Sequence, residues 1–496
     1  MKGGVEGTQV QYTEDDNIEV ALANSDSDGI SNGFIEPDEK ELKRVLWKMD
    51  LRIIPYIALL YLCSYLDRVN IGHAKVAGIM DDIDITENEY NLALSMFFVS
   101  YVLCEVPSNL MLKILGPRIW ISLIMIVWGA VMAAMSACRN GPELIVARVF
   151  LGIAEAGLYP GVLFYLSVWY TRREQALRIA LFYGSSSLAG AFGGVLAYGL
   201  MHMDGMRGLH GWQWIFIIEA IPTLLLGVLT YFVLPDYPEN AKFLTERERE
   251  IIVMRNRKDA GVASDTHFSW KQVGSTFIDW KIYAYSVIYL CGAISVYSFS
   301  LFMPSIVNGM GYTALNAQAF SSIPYVFAFI CCIANSYHAD KKGERGYHLA
   351  GSAFLSVIGY ILLITLQGVS VVGQFIGAVI GTTGAFSLIP ALTSWFSNNF
   401  GGHTRRSVAV ALITSIGNTS GAISGQVYRA SDSPLYLKGH TACAVLMSGC
   451  VVSALLMKFT LYRINKKRDN MTAEEYRIAS ERTELGEKHP GFRYVL

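Results

Sequence analysis

Charged residues are scarce in this sequence. Asp, Glu, Lys and Arg make up 16% of its 496 residues, whereas 52% are hydrophobic and the mean hydropathy is +0.35. A chain of this length could hold several soluble domains, but apolar runs that suffice for spans of about 20 residues recur along most of it. The composition therefore predicts an all-α polytopic membrane protein that lies in a lipid bilayer.

The sequence also lacks the motifs of catalysis, metal binding and nucleic-acid binding. It shows no nucleophile triad, P-loop or metal-ligand cluster, and the histidines in loops and at span ends have no ligand spacing: His202, His210, His338 and His403. The basic residues of the central segment alternate with glutamates, which is typical of a solvated helix. We therefore predict no enzyme, no catalytic residue, no cofactor, no metal and no nucleic-acid partner.

Disulfide bridges and a cleavable leader are not indicated either. The eight cysteines all fall within or at the ends of apolar segments, which favours small packing residues over disulfide partners. Residues 1–38 are polar and acidic and have no apolar core, so the first span is expected to direct insertion itself. The same composition predicts that these residues form a disordered tail.

Twelve apolar segments are long enough to cross a bilayer, and a hydrophilic segment separates them into six and six. The predicted spans are 53–73, 91–112, 119–138, 142–168, 178–200 and 212–234, then 280–304, 316–337, 347–366, 370–396, 407–428 and 440–462. We therefore expect an acidic cytoplasmic tail (1–38), an N-terminal six-helix bundle (39–234), a cytoplasmic central loop (235–279), a C-terminal six-helix bundle (280–464) and a cytoplasmic tail (465–496).

Lysine and arginine fall in every second gap between these spans. The gap around residues 81–89 is acidic instead, and the gaps near 305–315 and 367–369 carry no charge. Because positive loops stay on the cytoplasmic side, both termini are predicted to be cytoplasmic. The basic gaps, including the one after the last span, contain Lys113 and Arg118; Arg172, Arg173 and Arg178; Arg247, Arg249, Arg255, Arg257 and Lys258; Lys341, Lys342 and Arg345; Arg405 and Arg406; Arg463, Lys466, Lys467 and Arg468.

An internal repeat supports the division into two sets of six. Each half contains an aromatic pair, then an Arg-Arg pair, then, eleven residues later, a glycine that opens a run of small residues. Small residues allow close contact between membrane helices, and duplication of a six-span unit is a transporter architecture that binds substrate between the halves. The matching residues are Trp169-Tyr170, Arg172-Arg173 and Gly184 in the first half, and Trp395-Phe396, Arg405-Arg406 and Gly417 in the second.

Ionisable side chains within the spans are concentrated in the first half. A charge in hydrocarbon costs about 2.5–3.5 kcal/mol even on insertion scales, so these residues are expected to face the protein interior or a water-filled cavity. The second six spans carry almost none, which suggests that they supply shape and neutral hydrogen bonds. The first-half residues are Asp67, Arg68, Glu105, Arg148, Glu155 and Glu219.

Arg68 is the first choice for holding a substrate carboxylate. A guanidinium stays charged at any relevant pH and offers a planar fork that matches this anion. The alternative is an arginine that only pairs with a carboxylate to hold the bundle together. Arg148 is a second candidate anion contact, or it snorkels at the outer end of its span.

Glu155 and Asp67 are the candidate proton carriers. A poorly hydrated cavity favours the protonated form of a carboxyl, and a neighbouring arginine favours the ionised form. An anion that occupies the arginine would therefore promote protonation, so anion and proton would favour each other's binding. The alternative for both residues is permanent structural pairing.

Each of the remaining candidates has a structural interpretation as well as a functional one. Glu105 lies close to a cytoplasmic loop and Glu219 lies beside a proline, so both are interpreted as gating or structural residues. Tyr297 and Asn418 could line the substrate pathway, although such residues are also common in helix packing and interfacial anchoring.

Several motifs together resemble the anion:cation symporter family of the major facilitator superfamily. The resemblance covers about residue 40 to the end, and the closing GFRYVL at 491–496 is similar to the tail of the fungal allantoate permease branch. It implies the twelve-helix facilitator fold, alternating access, proton-coupled uptake of a small organic anion, and an anion-binding role for Arg68. The motifs are LDRVNIG at 66–72, CEVPSNLMLKILGPRIW at 104–120, RVFLGIAEAGLYPG at 148–161, WYTRRE at 169–174, GWQWIFIIEAIPTLLLGVLTYFVLPDYP at 211–238 and GHTRRSVAVALITSIGNTSGAISGQVY at 402–428.

One loop departs from the superfamily pattern. Between the second and third spans the superfamily usually has an aspartate within GxxxDRxG, but this chain has LKILGPR, with Arg118 and no acid. The repeat copy ADKKGERG keeps Asp340 and Arg345. We therefore expect gating contacts at Arg118, Asp340 and Arg345 that differ between the halves.

These observations predict a proton-coupled symporter of a small organic carboxylate that works by alternating access. Nicotinate is the first guess for the cargo, within a class of vitamin and ureide anions that includes pantothenate and allantoate. Uncoupled facilitated diffusion and a non-transporting nutrient receptor of the same fold are the alternatives. The expected partners are the anion, protons and lipid. A monomer is expected, in the plasma membrane by resemblance or else in an internal membrane.

Overall fold

The computed structural model describes residues 37–260, 270–401, 403–482 and 489–496, and all regular structure within these ranges is helical. Twelve helices correspond to the twelve predicted spans, which confirms the predicted fold class. The first half contains α1 (Glu39–Val76), α2 (Glu87–Leu115), α3 (Pro117–Met135), α4 (Gly141–Trp169), α5 (Arg172–Met201) and α6 (Gly211–Val233). The second half contains α7 (Trp280–Gly309), α8 (Ala314–Lys342), α9 (Gly346–Thr365), α10 (Val371–Asn398), α11 (His403–Ser424) and α12 (Leu437–Asp469).

Eleven of these helices, counted over the described residues, are long and apolar enough to cross a membrane, and α11 contributes the shorter apolar stretch Val408–Ser424. Several helices run past the predicted spans, since α1 begins at Glu39 and α12 ends at Asp469. Charged residues such as lysine, arginine and glutamate are good helix formers, so an established helix continues beyond the hydrocarbon. Within the first turns of α1, Lys43 Nζ lies 2.6 Å from Glu39 Oε1 on the surface.

Two of the helices consist of two pieces. The helix α4 is divided into Gly141–Glu155 and Leu158–Trp169, and α8 is divided into Ala314–Phe320 and Ile323–Lys342. In α4 the first piece ends at Glu155, which is buried. Side chains at Gly152 and Gly157 would collide with α2, at the Phe97 carbonyl and at Ser108 respectively. Glycine at these positions therefore brings α4 against α2 beside Glu155.

The segment between the halves contains the helices Glu246–Ala260 and Trp270–Phe277. The first has one buried face, because Ile251 and Ile252 are inaccessible to solvent. Arg255 pairs with Glu174 of α5, and the Asn256 amide donates to the Val168 carbonyl of α4 at 2.7 Å. This helix is therefore docked on the first half, whereas the sequence predicted a fully solvated one.

The two halves meet closely at one end of the bundle. At the end of α1, His73 Nδ1 lies 2.5 Å from Gln318 Oε1 of α8, and the Gln318 amide donates to the His73 carbonyl at 3.0 Å. At the start of α2, Ser95 donates to the Ala422 carbonyl of α11 at 2.9 Å, and Gln426 donates to the Asn91 carbonyl at 3.1 Å. These contacts close the bundle at this end.

Matching ion pairs tie each half together. In the first half, Arg178 near the start of α5 makes two hydrogen bonds of 2.6 and 2.7 Å to Asp50 in α1. In the second half, Arg405 near the start of α11 bonds Asp279, which caps α7, at 2.6 Å. The first and fifth helices of each half are thus joined by an arginine–aspartate pair, although the two arginines occupy different positions of the sequence repeat.

The carboxy-terminal residues pack against the second half. The Val495 carbonyl accepts from Trp395 Nε1 at 2.8 Å and from Asn399 Nδ2 at 3.0 Å, and the Val495 amide donates to Asn399 Oδ1 at 2.7 Å. Tyr494 is buried, and its hydroxyl lies 3.0 Å from Lys281 Nζ. The tail that ends in GFRYVL therefore joins the ends of α7, α10 and α12, where the Asn465 amide also donates to the Tyr494 carbonyl at 2.8 Å.

Candidate functional site

A buried ion pair between α1 and α4 forms the centre of the candidate site. Arg68 Nη2 lies 2.6 Å from Glu155 Oε1, and Arg68 Nε donates to the same oxygen at 3.2 Å. The Ser64 hydroxyl donates to Glu155 Oε1 at 2.5 Å. The side chains of Arg68 and Glu155 are 4% and 1% exposed. The structure therefore brings the predicted anion-binding arginine and a predicted proton carrier into direct contact.

Arg68 also lines a cavity with tyrosine walls between the two halves. The cavity is narrow in this conformation, with a volume of about 20 Å³. The Arg68 guanidinium carbon lies 5.0 Å from the Tyr101 ring centroid and 5.5 Å from that of Phe97. Aromatic rings attract a cation, so these contacts stabilise the position of the guanidinium beside the cavity. The residues that line the cavity with Arg68 include Tyr61, Tyr65, Tyr101, Tyr159, Tyr183, Tyr289, Tyr297 and Asn418.

Arg148 is completely buried and therefore does not snorkel to a surface. Its Nη2 donates to the Arg68 carbonyl at 3.4 Å, and its guanidinium carbon lies 4.6 Å from the Phe97 ring centroid. Its Nε and Nη1 have no hydrogen-bond partner, and neither does Glu155 Oε2. Arg148 and Glu155 thus share α4, but Arg68 holds the bonds to the carboxylate.

Asp67 points away from this cavity, although it precedes Arg68 in the sequence. Its Oδ2 accepts from Trp128 Nε1 of α3 at 2.9 Å and from the Thr223 hydroxyl of α6 at 2.7 Å. Successive residues on a helix are about 100° apart, so neighbours in sequence face different helices. Asp67 therefore joins α1 to α3 and α6, whereas Arg68 joins α1 to α4.

Glu219 lies on the same side of α1 as Asp67. Its Oε2 accepts from Asn70 Nδ2 at 2.9 Å, and the side chain is 2% exposed. Asn70 follows Asp67 by three residues, and Glu219 precedes Thr223 by four, so both pairs occupy single helical faces. Two predicted site residues from different spans thus lie in one polar cluster.

Glu105, Asn418 and Tyr297 form a chain of contacts from α2 through α11 to α7. Asn418 Nδ2 donates to Glu105 Oε2 at 3.3 Å, and the Tyr297 hydroxyl donates to Asn418 Oδ1 at 3.5 Å. Glu105 lines a second, larger space of about 410 Å³ that is open at the end of the bundle near Asn256. Tyr159 lines both spaces. The contact between Glu105 and Asn418 therefore lies where the Arg68 cavity adjoins the open one.

The loop between α2 and α3 lacks an acidic residue of its own, but Asp236, which follows α6, contacts it. Asp236 Oδ1 accepts from the Arg118 backbone amide at 2.8 Å. The Arg118 guanidinium donates to the Tyr231 carbonyl and lies 4.3 Å above the Tyr231 ring. Gly116 has φ +84°, a conformation that L side chains rarely adopt, and it lies beside Asp236.

The repeat copy of this loop, between α8 and α9, forms its own ion pairs. Arg345 Nη2 lies 2.7 Å from Asp340 Oδ1, and Glu344 pairs with Lys458. Burial acts to raise the pKa of Glu344, but bonds from Lys458, the Tyr347 amide and His348 outweigh it, so this pKa is lowered. The two predicted gating loops thus differ, because one recruits a distant acid and the other keeps acids of its own, Asp340 and Glu344.

Sequence reasoning missed the residues that support the predicted ones. Ser64, Phe97 and Tyr101 contact the Arg68–Glu155 pair, and Trp128 and Thr223 hold Asp67. One signal was available, since Tyr61, Tyr65 and Arg68 have the i, i+4, i+7 spacing of one helix face. The contacts of Asp67 had no such signal, because they come from other helices.

Comparisons with known proteins agree with this architecture. The model of the Major Facilitator Superfamily matches residues 57–425. The MFS transporter prlL of a fungal species is 36% identical over 441 residues, which cover 87% of this chain and 89% of that protein. An uncharacterized transporter of Schizosaccharomyces pombe is 34% identical over 488 residues, 98% of this chain and 97% of the relative. A putative tartrate transporter of Agrobacterium vitis is 36% identical over 381 residues, 77% of this chain and 83% of the relative.

A solved structure shares the fold at low sequence identity. A bacterial homolog of the human lysosomal transporter Spinster, in an inward-facing and unoccupied conformation, gives a TM-score of 0.61 at 14% identity, over 82% of this chain and 94% of that one. At this identity the likeness concerns the fold alone. The family match and the relatives, together with twelve helices in two halves, show that the chain is a membrane transporter that belongs to the Major Facilitator Superfamily.

Proposed function

We propose that the protein is a proton-coupled symporter of a small organic carboxylate, within the anion:cation symporter family and its allantoate permease branch. The observation that carries the proposal is a buried arginine that borders an aromatic cavity and is held by a carboxylate. Arg68 offers the cavity a permanent positive charge, and Glu155 neutralises that charge when no anion is present. The same two residues therefore link anion binding to a proton.

The link arises because substrate and Glu155 compete for one guanidinium. A substrate carboxylate that binds Arg68 displaces Glu155, whose Oε2 already lacks a hydrogen-bond partner. A buried carboxylate without its cation is costly in free energy, so Glu155 binds a proton instead. The Ser64 hydroxyl keeps the neutral carboxyl in place at 2.5 Å. One anion and one proton thus enter the site together, and the site remains close to neutral.

Access to the site alternates between the two ends of the bundle. In this conformation the halves are closed near His73 and Gln318, and the larger space opens near Asn256 of the loop between the halves. Because basic residues mark the loop end as cytoplasmic in our prediction, we interpret the conformation as inward-facing. Rocking of the halves would open the His73 end and close the Glu105 end.

The lining of the cavity suits a small aromatic or polar carboxylate, for which the narrow space must widen as the halves move. Its tyrosines provide flat apolar faces together with hydroxyl groups, which allow stacking and hydrogen bonding at the same time. The name of the Agrobacterium vitis relative refers to tartrate, a small carboxylate. A vitamin or ureide anion, with nicotinate first, is our choice for the cargo, carried by a monomer in the plasma membrane with both termini in the cytoplasm.

Transport by purified protein in liposomes tests the proposal. An inward proton gradient should drive accumulation of labelled nicotinate or of a competing small carboxylate, and a protonophore should abolish it. Arg68→Gln should remove saturable binding, whereas Arg139→Gln, which changes an exposed arginine in the loop before α4, should behave as wild type. Concentrative uptake that persists without a proton gradient would overturn the coupling. Anion binding without any flux would favour a receptor instead.

A further inference from the structure

A second cluster of ionisable residues lies behind α1, on the side away from Arg68. It joins Asp67 and Asn70 of α1, Trp128 of α3, and Glu219 and Thr223 of α6. The Thr223 hydroxyl donates to Asp67 at 2.7 Å and also lies 3.5 Å from the backbone carbonyl oxygen of Glu219, one turn earlier in α6. The five residues are 0–2% exposed. The proposed anion site does not use this cluster.

The cluster contains two carboxyl groups and no cation. No lysine, arginine or histidine nitrogen among the described residues lies within 4.0 Å of Asp67 or Glu219. The other titratable neighbours are Cys63, one turn before Asp67, and the Arg68–Glu155 pair on another face of α1. Two ionised carboxylates in such surroundings would be strongly destabilising, because neither solvent nor a positive charge offsets them.

The hydrogen bonding of the cluster is also incomplete, and the atoms without a partner are all of one kind. Asp67 Oδ1, Asn70 Oδ1 and Glu219 Oε1 are buried and have no partner. All three are acceptor oxygens, whereas Trp128, Thr223 and the Asn70 amide have already donated to the other carboxylate oxygens. The cluster therefore lacks hydrogen-bond donors for these three oxygens. A proton on a carboxyl supplies one, and it removes a charge at the same time.

We propose that Asp67 and Glu219, together with the amide oxygen of Asn70, form a single proton-binding site, which makes Glu219 a second coupling residue. A protonated carboxyl in this cluster donates to an acceptor that is otherwise unused, and the pair holds at most one negative charge. Neither carboxyl lines the Arg68 cavity or the open one, so the proton is kept away from water in this conformation. The inference rests on the proposed symport and adds a proton site that is separate from the anion.

The position of the cluster explains how it can respond to transport. Asp67 and Arg68 are consecutive residues of α1, so a shift of this helix when the anion binds Arg68 also changes the contacts of Asp67 with α3 and α6. Loading and release of the proton therefore depend on the packing of α1 against α6. The site couples to the cycle through the helix, without contact with the substrate.

Infrared spectroscopy of the purified protein tests the pair directly. The carboxylic acid C=O band should titrate in wild type and be lost in part in Asp67→Asn and in Glu219→Gln. Because each carboxyl raises the proton affinity of the other, Glu219→Gln should move the midpoint of the remaining Asp67 band to lower pH by about one unit or more. Thr230→Val changes a buried threonine two turns further along α6 and serves as the matched control, with an unchanged midpoint. An unchanged Asp67 midpoint in Glu219→Gln would overturn the proposal.

Transport measurements separate this inference from the proposed function. If wild type does not couple uptake to protons, the symport proposal fails, whatever the infrared result. If wild type couples but Glu219→Gln keeps the same proton-to-anion ratio, the second site fails alone. We expect the ratio to fall by about one proton per anion in Glu219→Gln and in the double variant Asp67→Asn/Glu219→Gln alike. A sodium gradient that replaced the proton gradient in wild type, but not in Glu219→Gln, would show that the site takes sodium and would overturn the proton assignment.

Discussion

Replacement of Glu155 by glutamine removes the charge that competes with a bound anion for Arg68. Glutamine keeps the shape of the side chain and an oxygen that can accept the bonds now made at 2.6 Å from Arg68 and 2.5 Å from Ser64. It carries no charge and cannot bind a proton at neutral pH. We therefore expect the part of the pH dependence of anion affinity that this pair supplies to be lost, and proton-driven accumulation to fall, while exchange of labelled for unlabelled anion continues.

The size of the effect follows from the stoichiometry of the pair. Because Glu155 gains one proton for each anion bound, this pair alone should make the Kd for the anion fall about tenfold for each unit of decrease in pH. This contribution to the pH dependence should be present in wild type and absent from Glu155→Gln.

Equilibrium binding of labelled anion across a series of pH values measures this dependence. Removal of one partner of a buried ion pair commonly costs 3–5 kcal/mol, so the thermal stability of Glu155→Gln should be recorded with and without anion. A saturating anion should restore part of the lost stability, because it takes the place of Glu155 beside Arg68. If Glu155→Gln keeps the full pH dependence of wild type, competition for Arg68 does not contribute to coupling.

Three further predictions follow from contacts described above. Arg68→Lys keeps the charge but loses one of the two hydrogen bonds to the substrate carboxylate. Anion affinity should therefore fall about tenfold to thirtyfold, equivalent to ~1.5–2 kcal/mol. Undiminished affinity in a binding assay would exclude a bidentate contact. Gln318→Ala removes both bonds to His73 at the closed end. Distances between spin labels across that end should then shift towards longer values. An unchanged distance distribution would show that this contact does not hold the end closed. Asn399→Leu removes two bonds to Val495 of the tail. The melting temperature, measured by differential scanning fluorimetry, should fall in line with a loss of ~1–3 kcal/mol. An equal melting temperature would mean that these bonds to the tail add no stability.

The fold was predictable from the sequence because long apolar runs leave few alternatives in a membrane. Only helices satisfy their own backbone hydrogen bonds within single segments of this length, so twelve such runs imply twelve helices. The helix ends were not predictable in the same way. The apolar run of α1 was predicted to begin at 53, but charged residues from Glu39 onward continue the same helix.

The candidate site was predictable as a set of residues but not as an arrangement. Charged residues are rare within membrane spans and are therefore conspicuous in the sequence, which is why Arg68 and Glu155 were predicted. The direction in which Asp67 points depends on Trp128 and Thr223, which lie about 60 and 160 residues further along the chain. Its association with Glu219 was hidden for the same reason.

The loop between α2 and α3 gives a second example of this limit. The motif lacks an acid, and local sequence therefore predicted gating contacts that differ between the halves. The acid comes instead from Asp236, which follows α6 and approaches through the packing of α6 on α3. Such a replacement can be recognised only when helix neighbours are known.

The packed tail has a practical consequence for the handling of this protein. Tyr494 and Val495 are bonded into the ends of three helices, and the Leu496 carbonyl accepts from the Arg345 amide at 2.7 Å. An affinity tag or fluorescent protein fused directly after Leu496 would pull on these bonds and would loosen the second half in detergent. A fusion placed before α1, or separated from Leu496 by a long flexible linker, avoids this strain. Melting temperatures of the two fusions would show the difference before any transport assay is attempted.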